Sequence, residues 1–334
     1  MSHRGTGLRA GPDPVVRTVL GDVAPAALGP TDYHEHLLMA SPLLPGDELD
    51  DLARSTAETR ALAAAGIGAL VELTPIGLGR DLGGLAAISA ATGMHVVAAT
   101  GVHRDAHYPD AHPARGLDPA ALAARFVDEV RTGVAVDEPT AAGGRVRCGV
   151  IKCGVGYWSI SPTERTVLAA AATAQRATGV AVVCHLEMGT AAHEVVEVLG
   201  GHGVPPDRVV LAHADRNPDP GLHAELTSGG VYLGYDGMAR AKYWPDSALL
   251  DCLLRTAERG RADRLLLGGD VARSSSFRSY GGLPGMAYLP LRFAPRVAAE
   301  GGQDLLDLLL VRNPATLLAW SPAGGDEAAA GAAA

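Results

Sequence analysis

Short apolar runs rich in Val, Ile, Leu and Ala recur along the chain, near residues 31–37, 67–74, 95–100, 147–152, 180–185, 208–213, 230–235 and 264–270. Several are apolar almost throughout instead of alternating, which is the pattern of parallel strands buried on both faces. Amphipathic or Ala-rich stretches separate them, clearest at 118–131, 162–178 and 191–199, and Gly or a turn cluster follows each, as at Gly179 and Gly200-Gly201. Ser161-Pro162 followed by Glu164 supplies an N-cap and a first-turn proline, so a helix is predicted to begin there.

Eight strands alternating with helices favour a closed (β/α)8 TIM barrel over an open doubly wound sheet, because no G-x-G-x-x-G follows the first strand. The expected organisation is one barrel domain over 14–321, with a flexible N-terminus at 1–13 and a disordered, low-complexity tail at 322–334. Within that domain the alternating segment at 14–30 is expected to form a hairpin under the barrel floor. Barrel active sites lie at the C-terminal ends of the strands. Ligand-type residues stand at those positions: His34 and His36 at the first run, Lys152 closing RVRCGVIK, His185 closing GVAVVCH, His213 closing RVVLAH and Asp270 closing RLLLGGD.

In an extended strand, residues two apart share a face, so His34 and His36 are placed to grip one metal ion while Glu35 points away. A set of His and Asp side chains suits zinc, manganese or cobalt, and two such ions about 3.5–4 Å apart can supply a nucleophile at neutral pH. Lys152 is the anomaly, since an ammonium does not ligate a cation; carboxylation by carbon dioxide would turn it into a two-oxygen carbamate.

Composition narrows the partners. Of 334 residues 47% are hydrophobic and 19% charged, enough for a large core. No run of about 18 apolar residues occurs and the N-terminal stretch lacks a secretory h-region, so the expectation is a cytoplasmic protein. The net charge of −9 argues against nucleic-acid or anionic-membrane partners and leaves a small-molecule substrate. The four cysteines, Cys148, Cys153, Cys184 and Cys252, form no C-x-x-C pair and read as buried reduced thiols; Cys153 and Cys184 adjoin Lys152 and His185 and so face the opposite layer. His103, His107, His112, His193, His202 and His223 are expected at the surface, with His103 and His107 kept as candidates to line a pocket.

The order H-x-H, Lys, His, His, Asp on the first, fourth, fifth, sixth and eighth strands, with the entry segment GDVAPAALGPTDYHEHLL, resembles the phosphotriesterase family of the amidohydrolase superfamily from about Val16 to Trp320. The resemblance implies that His34, His36 and Asp270 hold the more buried metal and His185 and His213 the more exposed one. N6-carboxylated Lys152 would bridge the two with a hydroxide, and Asp270 would take the proton as that hydroxide attacks. Two zinc ions are the expected cofactors, with manganese or cobalt as alternatives.

The loops DGMARAKYWPD and VARSSSFRSYGGLPG look like those of a family branch that opens the lactone ring of phosphorylated sugar acids. That likeness implies substrate contacts from Arg273, Lys242 and Tyr243, with Arg240 and Arg278 in reserve and Tyr33 as an addition beside the H-x-H. The leading expectation is therefore a dinuclear metal-dependent lactonase acting on a sugar lactone. Its rivals are another lactonase or carboxylesterase, a promiscuous phosphotriesterase, a deaminase or amide hydrolase using the same metals, and an inactive small-molecule-binding barrel. A homodimer is consistent with such a barrel.

Overall fold

The computed structural model describes residues 13–110, 112, 115–116, 118–137 and 144–321. The expected mobile ends, 1–13 and 322–334, lie outside the described residues except for Asp13. An antiparallel hairpin, β1 (Val16–Thr18) and β2 (Gly21–Val23), comes first. The barrel strands are β3 (Thr31–Glu35), β4 (Ala69–Glu72) and β5 (His95–Gly101), then, after a small pair β6 (Val134–Ala135) and β7 (Arg145–Val146), β8 (Val150–Val155), β9 (Ala181–Leu186), β10 (Val209–Ala212), β11 (Tyr232–Tyr235) and β12 (Leu265–Leu267). Neighbouring barrel strands run parallel in the order β3-β4-β5-β8-β9-β10-β11-β12. The seam between β12 and β3 is bridged where Asp270 N donates to His34 O at 2.7 Å, so the sheet nearly closes on itself.

Strand apolarity on both faces feeds two buried layers. Val71, Val97, Ala99, Val150, Val183, Val210 and Leu266 fill the barrel interior. Leu70, Val96, Ile151, Val182, Leu211 and Leu265 point outward to the helices, each worth about 1.5–3 kcal/mol when fully buried. Cys153 and Cys184 join that outer layer, and all four cysteines are buried and free. Among the helices, α1 (Leu52–Ala64), α2 (Leu82–Thr92), α3 (Pro119–Arg131) and α4 (Pro162–Thr178), the last starts at the foreseen cap. Ser161 Oγ accepts from Glu164 N at 3.1 Å and Glu164 accepts from Ser161 N at 2.9 Å, a reciprocal cap, and Gly179 closes the other end at φ 85°.

The hairpin sits under the floor as expected: Val19 N donates to Val96 O, at the N-terminal end of β5, at 2.8 Å. Arg17 fastens it, pairing with Asp22 at 3.0 Å and lying over the Trp320 ring. One boundary differs from the sequence reading: β8 runs three residues past Lys152, so this lysine lies inside its strand and does not close it. No helix among the described residues is long and apolar enough to cross a membrane.

A buried ion pair ties α3 to the barrel. Arg80 donates to Glu129 Oε2 at 2.7 Å, and Thr100 Oγ1 donates to the same oxygen at 2.7 Å. Burial pushes the Glu129 carboxyl up, but Arg80 and Thr100, joined by Arg125, outweigh it and hold its pKa below the ordinary value of 4.5. A carboxyl depressed in the folded state adds stability above its unfolded pKa and loses it as pH falls through the folded value. Glu129→Ala, which strands a buried guanidinium, is expected to cost about 3–5 kcal/mol at pH 7. The deficit should shrink toward pH 3 in denaturant melts; a difference that stays constant over that range would separate the loss from the charge.

Candidate metal and active site

Five strands deliver six ligand-type side chains to one place at the C-terminal end of the barrel. His34 and His36 come from β3 and the residue after it, Lys152 from β8, His185 from β9, His213 from just after β10 and Asp270 from just beyond β12. Lys152 and His185 arrive by plain strand alternation, in step with interior Val150 and Val183. His213 and Asp270 do not. Both adopt left-handed backbone, φ 62° and 48°, costly for non-glycine residues and held only where the surroundings over-determine it. On β3 the register with β4 shifts between Asp32 and Glu35, a break that lets Tyr33 fill the interior while His34 and His36 still reach the site.

The imidazoles are oriented from behind. His34 Nδ1 lies 3.0 Å from Asp236 Oδ2, His213 Nδ1 lies 2.6 Å from Asp236 Oδ1, and His36 Nδ1 lies 2.8 Å from Thr74 Oγ1. With each Nδ1 engaged, each Nε2 is left to the site: those of His34 and His36 stand 3.4 and 3.6 Å from Asp270 Oδ1, and that of His213 2.8 Å from His185 Nδ1. His34, His213 and Asp270 offer ligand atoms all within 4.8 Å of one another. Lys152 Nζ is 3.5 Å from His34 Nε2. Imidazoles with a carboxylate behind them and a second carboxylate in front are the donor set of a divalent cation, so these residues fit the expected metal.

The electrostatics agree with that fit. Burial, then the nearby Lys152 charge, pushes His34 down to about 3, and burial also lowers His185 and His213, which favours the neutral rings that a cation requires. Burial raises Asp270, but His34, His213 and Arg240 outweigh it and keep the carboxyl well below its usual range. Burial likewise lowers the Lys152 ammonium, opposed by Asp270 and Asp236, and so favours the neutral amine that can add carbon dioxide.

Above this cluster opens a cavity of about 480 Å³. Arg273, Lys242, Tyr243 and the reserve Arg240 line it, as do His103 and His107. Arg240 is a strut more than a free anchor, donating to the Gly269 and Asp270 carbonyls, and to Asp270 Oδ2 at 3.2 Å. Arg273 is 49% exposed and 3.2 Å from Asp47. Lys242 lies over the Tyr243 ring.

Two expected substrate contacts are corrected. Tyr33 is buried inside the barrel, its hydroxyl donating to Asp236, and it does not line the cavity. Its ring needs the room left by glycine: a Cβ on Gly234 would stand 1.7 Å from its hydroxyl and one on Gly268 2.8 Å from its ring. Arg278 points away from the mouth and donates to Pro284 O at 2.7 Å. Among the remaining histidines, His193 and His202 are exposed and His112 half-buried, but His223 is buried against the Tyr235 hydroxyl at 2.6 Å and is no surface residue.

Sequence reading missed Asp236, Arg216, Arg104 and Glu187. Asp236 had the same signal as Asp270, an aspartate ending the apolar run VYLGYD. Arg216 follows His213 by three residues and donates to Asp270 Oδ2 at 2.8 Å; Glu187 follows His185 by two and lies 2.9 Å from its Nε2 and 3.0 Å from Arg104. No periodicity marks these last three.

A nearly closed parallel barrel with this cluster at its C-terminal strand ends, beneath a polar cavity, defines a metal-dependent hydrolase barrel. The chain belongs to the phosphotriesterase family, whose model matches residues 14–318, and it is an ester-hydrolysing enzyme. It is 31% identical over 327 residues to a phospho-furanose lactonase of Mycoplasmopsis agalactiae, covering 92% of each chain. A lactonase structure from Listeria monocytogenes superposes with a TM-score of 0.84 at 29% identity, covering 91% of this chain and 98% of the other. The phosphotriesterase homology protein of Escherichia coli, solved with phosphate in its active site, gives 0.80 at 29% identity over 87% and 99%.

Proposed function

We propose that the protein is a dinuclear metal-dependent lactonase that opens a sugar lactone bearing an anionic group such as a phosphate. The observation that carries this reading is the excess of cations in the cavity: Arg104, Arg216, Arg240, Lys242 and Arg273 line it against the two carboxylates Glu187 and Asp270, in a chain of net charge −9. Guanidinium forks and an ammonium suit phosphate oxygens. The lactonase and phosphate-bound relatives support the same choice.

On this reading His34, His36, His185, His213 and Asp270 hold two divalent ions, zinc first among them, and Lys152 joins them as its carbamate. When bound, such ions polarise the scissile carbonyl and make water a nucleophile at neutral pH. Asp270 Oδ1, which faces His34 and His36, would accept the proton of the attacking water, while Arg216 donates to the opposite oxygen. Lys242 and Tyr243 orient the charged end of the substrate at the mouth.

The test is acid release from a panel of lactones with and without a terminal phosphate, on protein whose metals have been quantified. Preference for phosphorylated members supports the proposal; turnover of neutral lactones alone would keep the hydrolase and remove the anion pocket. Arg273→Ala is expected to raise KM for a phosphorylated lactone about three- to tenfold with kcat changed less than twofold, as a half-exposed anchor supplies mainly binding. An equal loss on a neutral lactone would show that the residue serves its loop through Asp47 instead.

A further inference from the structure

We infer that His103 and His107, the latter backed by Ser41, form a wall that reads the ring hydroxyls of a polyhydroxylated substrate, an inference that rests on the hydrolase reading above and specifies its substrate class. Both histidines line the cavity, each 8% exposed, and the metal cluster accounts for neither. Their rings lie with centroids 4.1 Å apart at a 38° tilt, and the His103 ring centroid lies 4.6 Å from that of His185, in the metal-type cluster.

The proton on His103 is placed by its surroundings. Its Nδ1 accepts the Arg104 amide N–H at 2.8 Å, so a neutral ring carries its proton on Nε2 and offers one hydrogen-bond donor of fixed polarity. His107 Nδ1 lies 2.8 Å from Ser41 Oγ, which also accepts from Leu43 N at 3.2 Å. The rotating serine hydroxyl can serve either tautomer, so His107 Nε2 can donate or accept. Neither Nε2 has a hydrogen-bond partner among the described residues, and both rings line the cavity, so each Nε2 is available to a substrate there. The loop is stiff: Tyr108 Oη accepts from His103 N at 2.9 Å and donates to Ile76 O at 2.9 Å.

Position in the barrel gives the pair its object. His103 and His107 follow β5, and Arg240, Lys242 and Tyr243 follow β11, four places away in the eight-strand order and so across the mouth. A substrate whose charged end is held by the β11 loop lays its ring against the β5 loop. One fixed donor beside one adaptable donor or acceptor matches neighbouring hydroxyls, each of which both donates and accepts. A pocket built to bond a hydroxyl discriminates strongly against an analogue that lacks it.

The test is calorimetric titration of the metal-loaded protein with a 1,4-anhydropentitol, a non-hydrolysable ring with the same hydroxyls, together with kcat/KM on a hydroxylated and an unsubstituted γ-lactone. His103→Phe and His107→Phe should each weaken anhydropentitol binding about five- to tenfold, the loss of one neutral hydrogen bond, and lower the hydroxylated-to-unsubstituted ratio of kcat/KM by a similar factor. His103→Gln, which keeps a donor, should recover part of the loss with unchanged metal content. If the Phe variants do not fold, Ser41→Ala, which releases His107 and the Leu43 amide and leaves both rings in place, should weaken binding about two- to fivefold. No binding to the wild type, or a loss equal on both lactones, would overturn the inference. Binding lost in the variants of a protein that opens no lactone would overturn the proposed reaction and leave the wall standing.

Discussion

Lys152→Ala should lose activity by about three orders of magnitude, the several kcal/mol that a correctly held metal pair contributes to the transition state. The lysine is 1% exposed and its Nζ sits 3.5 Å from His34 Nε2. An ammonium beside His34 Nε2 would repel any cation held there. A carbamate reverses that sign and presents two oxygens. On the proposed function, removing the side chain takes away a ligand and leaves a space the size of a short carboxylic acid. Metal bound per chain, measured by elemental analysis, should fall in the variant, and acetate or propionate should restore part of both metal content and rate. A variant with wild-type metal content and turnover would remove Lys152 from the site.

Asp236→Ala is expected to have the next largest effect, on folding and on metal affinity together. The carboxylate is fully buried and accepts from the Tyr33 hydroxyl, while standing 3.0 Å from His34 Nδ1 and 2.6 Å from His213 Nδ1 and taking the His213 amide N–H at 3.3 Å. Burial opposes its charge, but His213 and His34 outweigh that and hold it ionised. Truncation leaves several buried donors without an acceptor, each costing about 1–3 kcal/mol, of which partial relaxation should leave roughly 3–5 kcal/mol. Loss of the group behind two ligating rings should weaken metal binding about 10- to 100-fold in chelator competition. Asp236→Asn separates the two effects. It keeps the shape, yet its amide can turn an N–H toward His213 Nδ1, which drives the imidazole proton onto Nε2, where it blocks ligation. Normal stability with weakened metal affinity is the expected result for Asn; unchanged affinity would make Asp236 a packing residue only.

Much of the fold was legible because a barrel strand buried on both faces must be apolar throughout, and a chain cannot hide eight such runs. The capping box at Ser161 and Glu164 was legible too, since caps are local chemistry. The ligand positions were readable for a related reason: in this architecture the residue that ends an apolar run faces the mouth, so His185 declared itself by position. Tyr33 misled the reading because it stands next to the H-x-H in the chain, although strand alternation turns it away from His34 and its ring is seated inside the barrel. Arg278 misled it because loop charges carry no direction in the sequence, and His223 because a buried histidine on a helix looks like a solvated one until Tyr235 is seen against it.

By itself, the sequence determined the strand and helix order, the buried thiols, the family and the ligand-type residues, all properties carried by neighbours along the chain. Only the tertiary structure decided which polar groups stand behind those ligands, which cations are free to meet a substrate and which are struts, and that His213 and Asp270 turn inward through left-handed backbone. The physical reason is range. Hydrophobic pattern and capping act within a few residues, whereas Asp236 meets His34 across 202 positions and Arg240 meets Asp270 across 30, contacts that exist only once the barrel has closed.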